Sequence, residues 1–304
     1  GVHEPGDVGP IDVQYANGVV DLRVAGDVEA TAAAKRYLSY FRGALDPPSS
    51  PLDETALRDL IPVNRKRAYD VRAVIDALLD DVLELRRGFG LGIVTALARL
   101  DGKPLGVIAN DPRHLGGAID AHGADKAARF MQLCEAFSLP LLMLCDTPGF
   151  MVGPAAERTA TVRHFSRMFV VGANLTVPVG TIVLRKGYGL GAQAMAAGSF
   201  KAPLFCVGWP TSEFGAMGLE GAVRLGMRRE LDAIADPAER ERAFEAAVAA
   251  AYDRGKGISM AEYFEIDDVI DPADTHRWIR MLLDDQPGEW WRRPGKRRPQ
   301  VDTW

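Results

Sequence analysis

The sequence predicts an α/β domain of stacked strand–strand–helix units. Three observations carry that expectation. Short apolar runs, such as Ile93–Leu100, 140–145 and 177–184, have the length of buried strands. Between them, apolar residues recur at helical spacing, as in Val71, Val74, Ile75 and Leu78. Asp101-Gly102, set between two apolar runs, is a strong hairpin signal.

Taken in order, residues 1–10 are rich in Gly and Pro and predict a loose opening segment. Asp27 is placed to cap a helix that aligns Ala34, Tyr37, Leu38 and Phe41 on one face. Asp46-Pro47-Pro48-Ser49-Ser50-Pro51 holds three prolines in five residues, which suits neither a helix interior nor a central strand. A linker and domain boundary are therefore expected within 43–63. Asp70 caps the helix that carries Val71, and strands 93–100 and 105–109 form the hairpin. Asp125 opens a helix bearing Ala127, Phe130, Met131, Cys134 and Phe137. Strand 140–145 ends at Asp146-Thr147-Pro148-Gly149. Strand 177–184 runs into a turn, Lys186-Gly187-Tyr188-Gly189-Leu190-Gly191, followed by a short helix through Met195. Strand 203–207 precedes Trp209-Pro210-Thr211, read as a turn into further helix. Asp236-Pro237 and Asp271-Pro272 pair a cap with a first-turn proline, and the first opens a helix aligning Phe244, Ala247, Val248 and Ala251.

Composition narrows the function classes. The chain has 304 residues, 47% apolar and 25% charged, with a net charge of −5. That balance argues against nucleic acid as the main partner; the basic run 292–298 reads as a solvated tail or a contact for an acidic surface. Cys134, Cys145 and Cys206 are odd in number and lie in apolar runs, so buried thiols in a reducing, cytoplasmic setting are expected. No apolar stretch reaches the roughly 18 residues of a membrane span, and no signal-peptide pattern opens the chain. Because the sequence begins at Gly1, a fragment or a processed chain is expected.

The common catalytic constellations are missing. The five histidines are scattered, without zinc-binding spacing, and no metal site is expected. There is neither a G-x-S-x-G elbow nor a phosphate-binding Walker loop. What remains is glycine where strands end. Gly189-Leu190-Gly191 at a strand-to-helix turn exposes main-chain N–H groups that a helix leaves unpaired. Such a turn can serve as an oxyanion hole or simply as a packing turn. The same stretch matches a dinucleotide fingerprint, with Glu213 at the spacing of the ribose acid. Glu213 is expected to enter a helix instead of ending a second strand, which disfavours nicotinamide. Asp146-Thr147-Pro148-Gly149-Phe150, with Gly153 beyond it, is either an Asp/Pro/Gly turn or a rigid loop facing a flat ligand.

Many motifs fall in one order over 65–283. They include Lys66-Arg67-Ala68-Tyr69-Asp70, Ile108-Ala109-Asn110-Asp111-Pro112, Gly116-Gly117-Ala118-Ile119-Asp120 and Lys126-Ala127-Ala128-Arg129-Phe130. Asp146-Thr147-Pro148-Gly149-Phe150, Arg163-His164, Arg185-Lys186-Gly187-Tyr188-Gly189, Trp209-Pro210-Thr211 and Asp268-Val269-Ile270-Asp271-Pro272 follow. Together they resemble the C-terminal domain of biotin-dependent acyl-CoA carboxylase carboxyltransferases, the propionyl-/acetyl-CoA carboxylase β-subunit family of the crotonase superfamily. The resemblance implies a crotonase-like spiral of repeated ββα units. It divides the chain into 1–42, the end of an N-terminal carboxyltransferase domain; 43–63, a linker; 64–285, the carboxybiotin-binding domain; and 286–304, a basic tail.

By that resemblance, the amides of Leu190 and Gly191 hold the ureido oxygen of carboxybiotin. Loss of CO₂ then leaves a biotin enolate to remove the acyl-CoA α-proton, with no side-chain base required of this chain. Pro148, Gly149, Phe150, Gly153 and Gly189 would contact biotin. Gln193 would face the acyl pocket, where relatives commonly carry Asp, so acyl preference does not carry over. Leu190 and Gly191 stand where relatives carry Gly-Ala, a change that leaves main-chain donation intact. His276, where the family often has Arg, is expected to be structural. Biotin would arrive on another domain or subunit. The implied partners are an N-terminal carboxyltransferase domain that binds acyl-CoA, biotin carboxyl carrier and biotin carboxylase components, and further copies of the chain. Asn17-Gly18-Val19-Val20-Asp21 and Tyr188-Gly189-Leu190-Gly191-Ala192 resemble versions with all activities on one polypeptide. The alternatives are a biotin-dependent decarboxylase subunit, a non-catalytic crotonase-fold assembly partner, and a crotonase hydratase using Glu213 with Glu220.

Overall fold

In the computed structural model, which describes residues 1, 3–48, 53–284 and 301–302, one eight-stranded mixed sheet organises the chain. The first two helices are α1 (Ile11–Ala16) and α2 (Asp27–Ser39). Asp27 stands in the first turn of α2; the cap is Gly26. The inward face also differs from expectation: Tyr37 and Tyr40 pack inward with Phe41, whereas Ala34 and Leu38 face solvent. Tyr40 decides this, being fully buried with the Arg99 guanidinium 4.2 Å over its ring.

Within the stretch read as a linker, Glu54–Asp59 forms a 3-10 turn capped by Asp53, and Leu57 is fully buried. Ser49, Ser50 and Pro51 lie outside the described residues, as does the basic run 292–298. Helix α3 (Val71–Leu78) forms as expected: the Asp70 carboxylate accepts from the Arg72 amide at 3.0 Å, and Val71, Val74, Ile75 and Leu78 are all buried. Each such side chain contributes roughly 1.5–3 kcal/mol.

Strand β1 (Val82–Leu85) pairs antiparallel with β2 (Ile93–Leu100), which turns through Asp101-Gly102 into β3 (Lys103–Asn110). Both turn residues have positive φ, 51° and 76°, as a two-residue hairpin requires. Helix α4 (Ala121–Phe137) starts earlier than expected. Its cap is Asp120, whose carboxylate accepts from the Gly123 amide at 2.7 Å. Asp125 lies inside the helix instead, where it binds Arg167 at 2.6 Å and His164 at 2.7 Å.

The chain continues through β4 (Leu141–Thr147), α5 (Pro154–Arg158), α6 (Thr161–Gly172), β5 (Val179–Tyr188), α7 (Gly189–Ala194), β6 (Phe205–Gly208) and β7 (Glu213–Gly215). Then come α8 (Leu219–Gly226), α9 (Arg228–Asp232), α10 (Pro237–Arg254), α11 (Gly257–Glu262), β8 (Asp268–Val269) and α12 (Thr275–Asp284). Two expectations change here for one reason. Lys186, Gly187 and Tyr188 belong to β5, and Glu213 lies on a strand, because 186–188 pair in parallel with 213–215. The pairing joins segments far apart in sequence, so local pattern does not show it. The Asp236 and Asp271 caps form as expected, each accepting an amide at 3.0 Å.

Strand order is β1-β2-β3-β4-β5-β6-β8, with β7 beside the end of β5; from β3 onward the pairs are parallel. Both faces are covered. Ile93, Leu97, Met143 and Cys145 share a core with residues of α4 and α6, and Val94, Ala96, Leu142 and Leu144 share one with α3 and α12. Burial on both faces explains why these strands read as continuous apolar runs. The strand–strand–helix unit recurs as β2-β3-α4 and β6-β7-α8. The three cysteines are buried. Among the described residues, no helix is long and apolar enough to cross a membrane.

Candidate active site

Parallel pairing of β4 with β5, in register Thr147 opposite Gly187, brings the carboxyl ends of the two strands together. Ligands of open α/β sheets bind at such ends. Strand β4 leads into Pro148-Gly149-Phe150 and β5 into Gly189-Leu190-Gly191. A Cβ at position 191 would lie 2.7 Å from Gly149 Cα and 2.8 Å from Gly149 C, so the two turns meet main chain to main chain. Gly189, at φ 58°, is equally constrained: a Cβ there would stand 2.7 Å from the Ala216 carbonyl oxygen. The N–H groups of Leu190 and Gly191 lie in the first turn of α7, where a helix offers them no acceptor. The facing loop is pinned. Thr147 Oγ1 accepts from the Gly149 amide at 3.1 Å, and the Gly149 carbonyl accepts from Ile119 N at 3.1 Å.

Beneath both turns lies a buried charge cluster that sequence reading did not single out as a site. The Asp146 carboxylate, fully buried, accepts from the Lys186 amide at 3.1 Å and from Arg185 Nε at 3.1 Å. Asn110 Oδ1 accepts from the Asp146 amide at 3.1 Å, and Lys186 Nζ donates to the Gly116 carbonyl at 2.6 Å. The cluster ties β3, β4 and β5 at one level. Removing one partner of such a buried pair costs about 3–5 kcal/mol, because the other charge stays buried. A signal existed: polar residues end three apolar strand runs, at Asn110, Asp146 and Arg185.

Over the two turns opens a cavity of about 860 Å³. Pro148, Gly149, Phe150, Gly189 and Leu190 line it together with Phe165 and Met217. Phe150 stacks on Phe165, centroids 3.9 Å apart and planes at 13°. The Leu190 side chain is 62% exposed. Gly191 is buried directly behind this wall. Gly191 is one of three expected residues that do not line the cavity; Gly153 and Gln193 are the others. Gly153 caps α5, with nothing within 4 Å of the space a Cβ would fill. Gln193 is half-buried, and its carbonyl accepts from Ala196 and Gly198 at the end of α7.

A second constellation adjoins the turn. The Tyr188 hydroxyl donates to Glu213 Oε1 at 2.8 Å, both side chains being buried. Burial, and then the Glu213 charge, hold the phenol well above its ordinary range; burial likewise raises the Glu213 carboxyl. Tyr252 donates to Glu220 at 3.2 Å.

A family model described as "Carboxyl transferase domain" matches residues 7–284. The chain belongs to the carboxyl transferase domain family. It is 35% identical over 294 residues to the methylmalonyl-CoA carboxyltransferase 12S subunit of Propionibacterium freudenreichii subsp. shermanii, covering 92% of this chain and 55% of that one. Among solved structures, it is similar to a single-chain, multi-domain long-chain acyl-CoA carboxylase, at 57% identity and TM-score 0.86 over 93% of this chain and 28% of that one. A transcarboxylase 12S structure, a hexamer assembly, matches at 32% identity and TM-score 0.83, over 93% of this chain and 56% of that one. The chain spans about half the length of the curated relatives it matches. The crotonase-like fold expected from its motifs is the fold of these neighbours.

For this carboxyl transferase domain, the other readings of the site lose their footing. Glu213 does lie on a strand, but its carboxylate is committed to Tyr188 and buried, so it offers no ribose contact. Glu220 borders a different cavity, of about 530 Å³, and neither glutamate lines the one above Gly191. A hydratase carboxylate pair is not assembled. Among the described residues, no group of three or more His, Cys, Asp or Glu is placed to hold a metal ion.

Proposed function

We propose that this chain forms the biotin-facing wall of an acyl-CoA carboxyltransferase and works with an N-terminal carboxyltransferase domain that binds the acyl-CoA. One observation carries the reading: the first turn of α7 brings Leu190 to the wall of an apolar cavity, with Gly191 buried next to it and packed main chain to main chain against Gly149. The relatives support it, since one is a biotin-dependent acetyl-/propionyl-coenzyme A carboxylase subunit of Mycobacterium tuberculosis, 33% identical over 286 residues, 92% of this chain and 60% of that one. The proposed setting is cytoplasmic, with biotin brought by a carrier component and charged by a biotin carboxylase component. Several copies of the chain would share one assembly, as the hexameric transcarboxylase relative suggests.

The cavity fits a biotin ring system on physical grounds. Its walls are largely apolar, and Phe150 is stacked in place. Bound biotin supplies the carboxyl group to be transferred and a basic ureido oxygen. The chain's own part is electrostatic. The Leu190 and Gly191 amides point fixed positive dipoles at an oxygen on which negative charge grows, and one such donor is worth roughly 3–4 kcal/mol. Pro148, Gly149, Phe150 and Gly189 hold the ligand in place and keep water from it. Gly153, beyond the cavity wall, would act on biotin only through the start of α5. Gln193, in the last turn of α7, would meet acyl groups from the side the N-terminal domain closes.

The test is transfer of isotopic label from carboxylated biotin to an acyl-CoA, with the chain supplied alone and together with the N-terminal domain. Label on the acyl-CoA only in the second arm is the expected result. No transfer in either arm would overturn the proposal.

A further inference from the structure

We infer that Glu213 is a positioning residue for the Gly189-Leu190-Gly191 turn, acting through the hydroxyl of Tyr188. The inference rests on the proposed role of that turn and assigns it a support. Tyr188 is the last residue of β5 and the cap residue of α7, with φ −104° and ψ 133°. Any rotation about its main chain therefore re-aims the amides of Leu190 and Gly191 two and three residues on. Its hydroxyl is fixed by Glu213 Oε1 at 2.8 Å.

Glu213 is itself held in register. Strand β7 pairs with β5 as Lys186 opposite Glu213 and Tyr188 opposite Gly215. On its other side, the Phe214 amide donates to the Gly255 carbonyl at 2.6 Å, and the Gly257 amide to the Ser212 carbonyl at 2.9 Å. The next residue of this segment, Ala216, has its carbonyl oxygen 2.7 Å from the position a Gly189 Cβ would occupy. One braced segment thus touches the turn twice, through a main-chain contact at Gly189 and a side-chain tie at Tyr188.

Stability alone is a weak reason for the tie. The strands are already paired through their main chains, and a buried carboxylate carries a desolvation penalty that an apolar pair of similar volume avoids. A hydrogen bond between two buried side chains, Tyr188 to Glu213 at 2.8 Å, instead fixes direction. That is what an oxyanion site needs, because its donors must be in place before charge develops.

The test uses the complete carboxyltransferase and the label-transfer assay, with folding of each variant checked by its thermal midpoint. Tyr188→Phe removes one hydroxyl, and Glu213→Ala removes the acceptor. Each is expected to lower kcat by about tenfold or more while KM for acyl-CoA stays within about twofold, because binding of the acyl group is not touched. Glu213→Gln keeps an acceptor and should recover most of the rate. The double variant Tyr188→Phe/Glu213→Ala should be no slower than the slower single, since both act through one bond. Unchanged kcat in folded Tyr188→Phe, or a Glu213→Gln as slow as Glu213→Ala, would overturn the inference while leaving the proposed function standing. Absence of transfer by the unsubstituted enzyme would instead remove the proposed function, and this inference with it.

Discussion

Lys126 shows how far single residues in this fold depart from their free behaviour. Its side chain is 1% exposed, its ammonium donates to the Phe89 carbonyl at 2.9 Å, and burial pushes its pKa down to about 7. The unfolded lysine titrates at about 10.4. Below about pH 7 both states are charged and the burial penalty is complete. Above it the folded chain binds fewer protons than the unfolded one, so stability rises with pH towards the unfolded value. Replacing the lysine by methionine removes that slope. Between pH 7 and 9, the unsubstituted chain should gain about 2 kcal/mol relative to Lys126→Met, read from urea midpoints. A pH-independent difference between the two would contradict the burial account. Gly191 is a residue of the opposite kind, chosen for what it lacks: Gly149 occupies the space its side chain would need. The glycines at 189 and 191 were legible as a turn from spacing alone. Their contact with Gly149 was not, because it joins two loops some 40 residues apart through main-chain atoms with no pattern to read.

Among the elements, those with a complete local signal were legible. Helix α3 has its Asp70 cap and a four-residue apolar stripe, and α10 has Asp236-Pro237; both start where the sequence places them. Helix α4 was misplaced by a choice between two acids, Asp120 and Asp125. Either can cap a helix, and only the packed structure shows Asp125 engaged with Arg167 and His164. Asp120 caps through the Gly123 amide at 2.7 Å, so Asp120→Ala should cost about 1 kcal/mol of stability. A urea midpoint lowered by that amount with an unchanged slope is the expected result; no shift would mean that the cap bond contributes nothing. The extension of β5 and the existence of β7 were beyond local reading for the opposite reason. Three residues, Glu213–Gly215, become a strand only because Lys186 to Tyr188 pair with them.

For the molecule as a whole, a sheet buried on both faces leaves its parallel strand ends as the place where main-chain groups can meet a ligand. The charge cluster around Asp146 locks the level of those ends, the glycine contact sets the two turns against each other, and the cavity opens above them. Motif order made the carboxyl transferase family legible before any of this geometry, whereas the tie from Glu213 to Tyr188 needed the fold. The central claim is that main-chain donors in the Leu190–Gly191 turn stabilise developing charge during carboxyl transfer. The most direct test replaces the amide N–H of residue 191 by an ester oxygen in the assembled enzyme, which removes one donor and leaves every side chain in place. The account predicts that label transfer from carboxylated biotin to acyl-CoA slows by about 10²–10³-fold, with acyl-CoA binding unchanged. A rate within about twofold of the unsubstituted enzyme would contradict it.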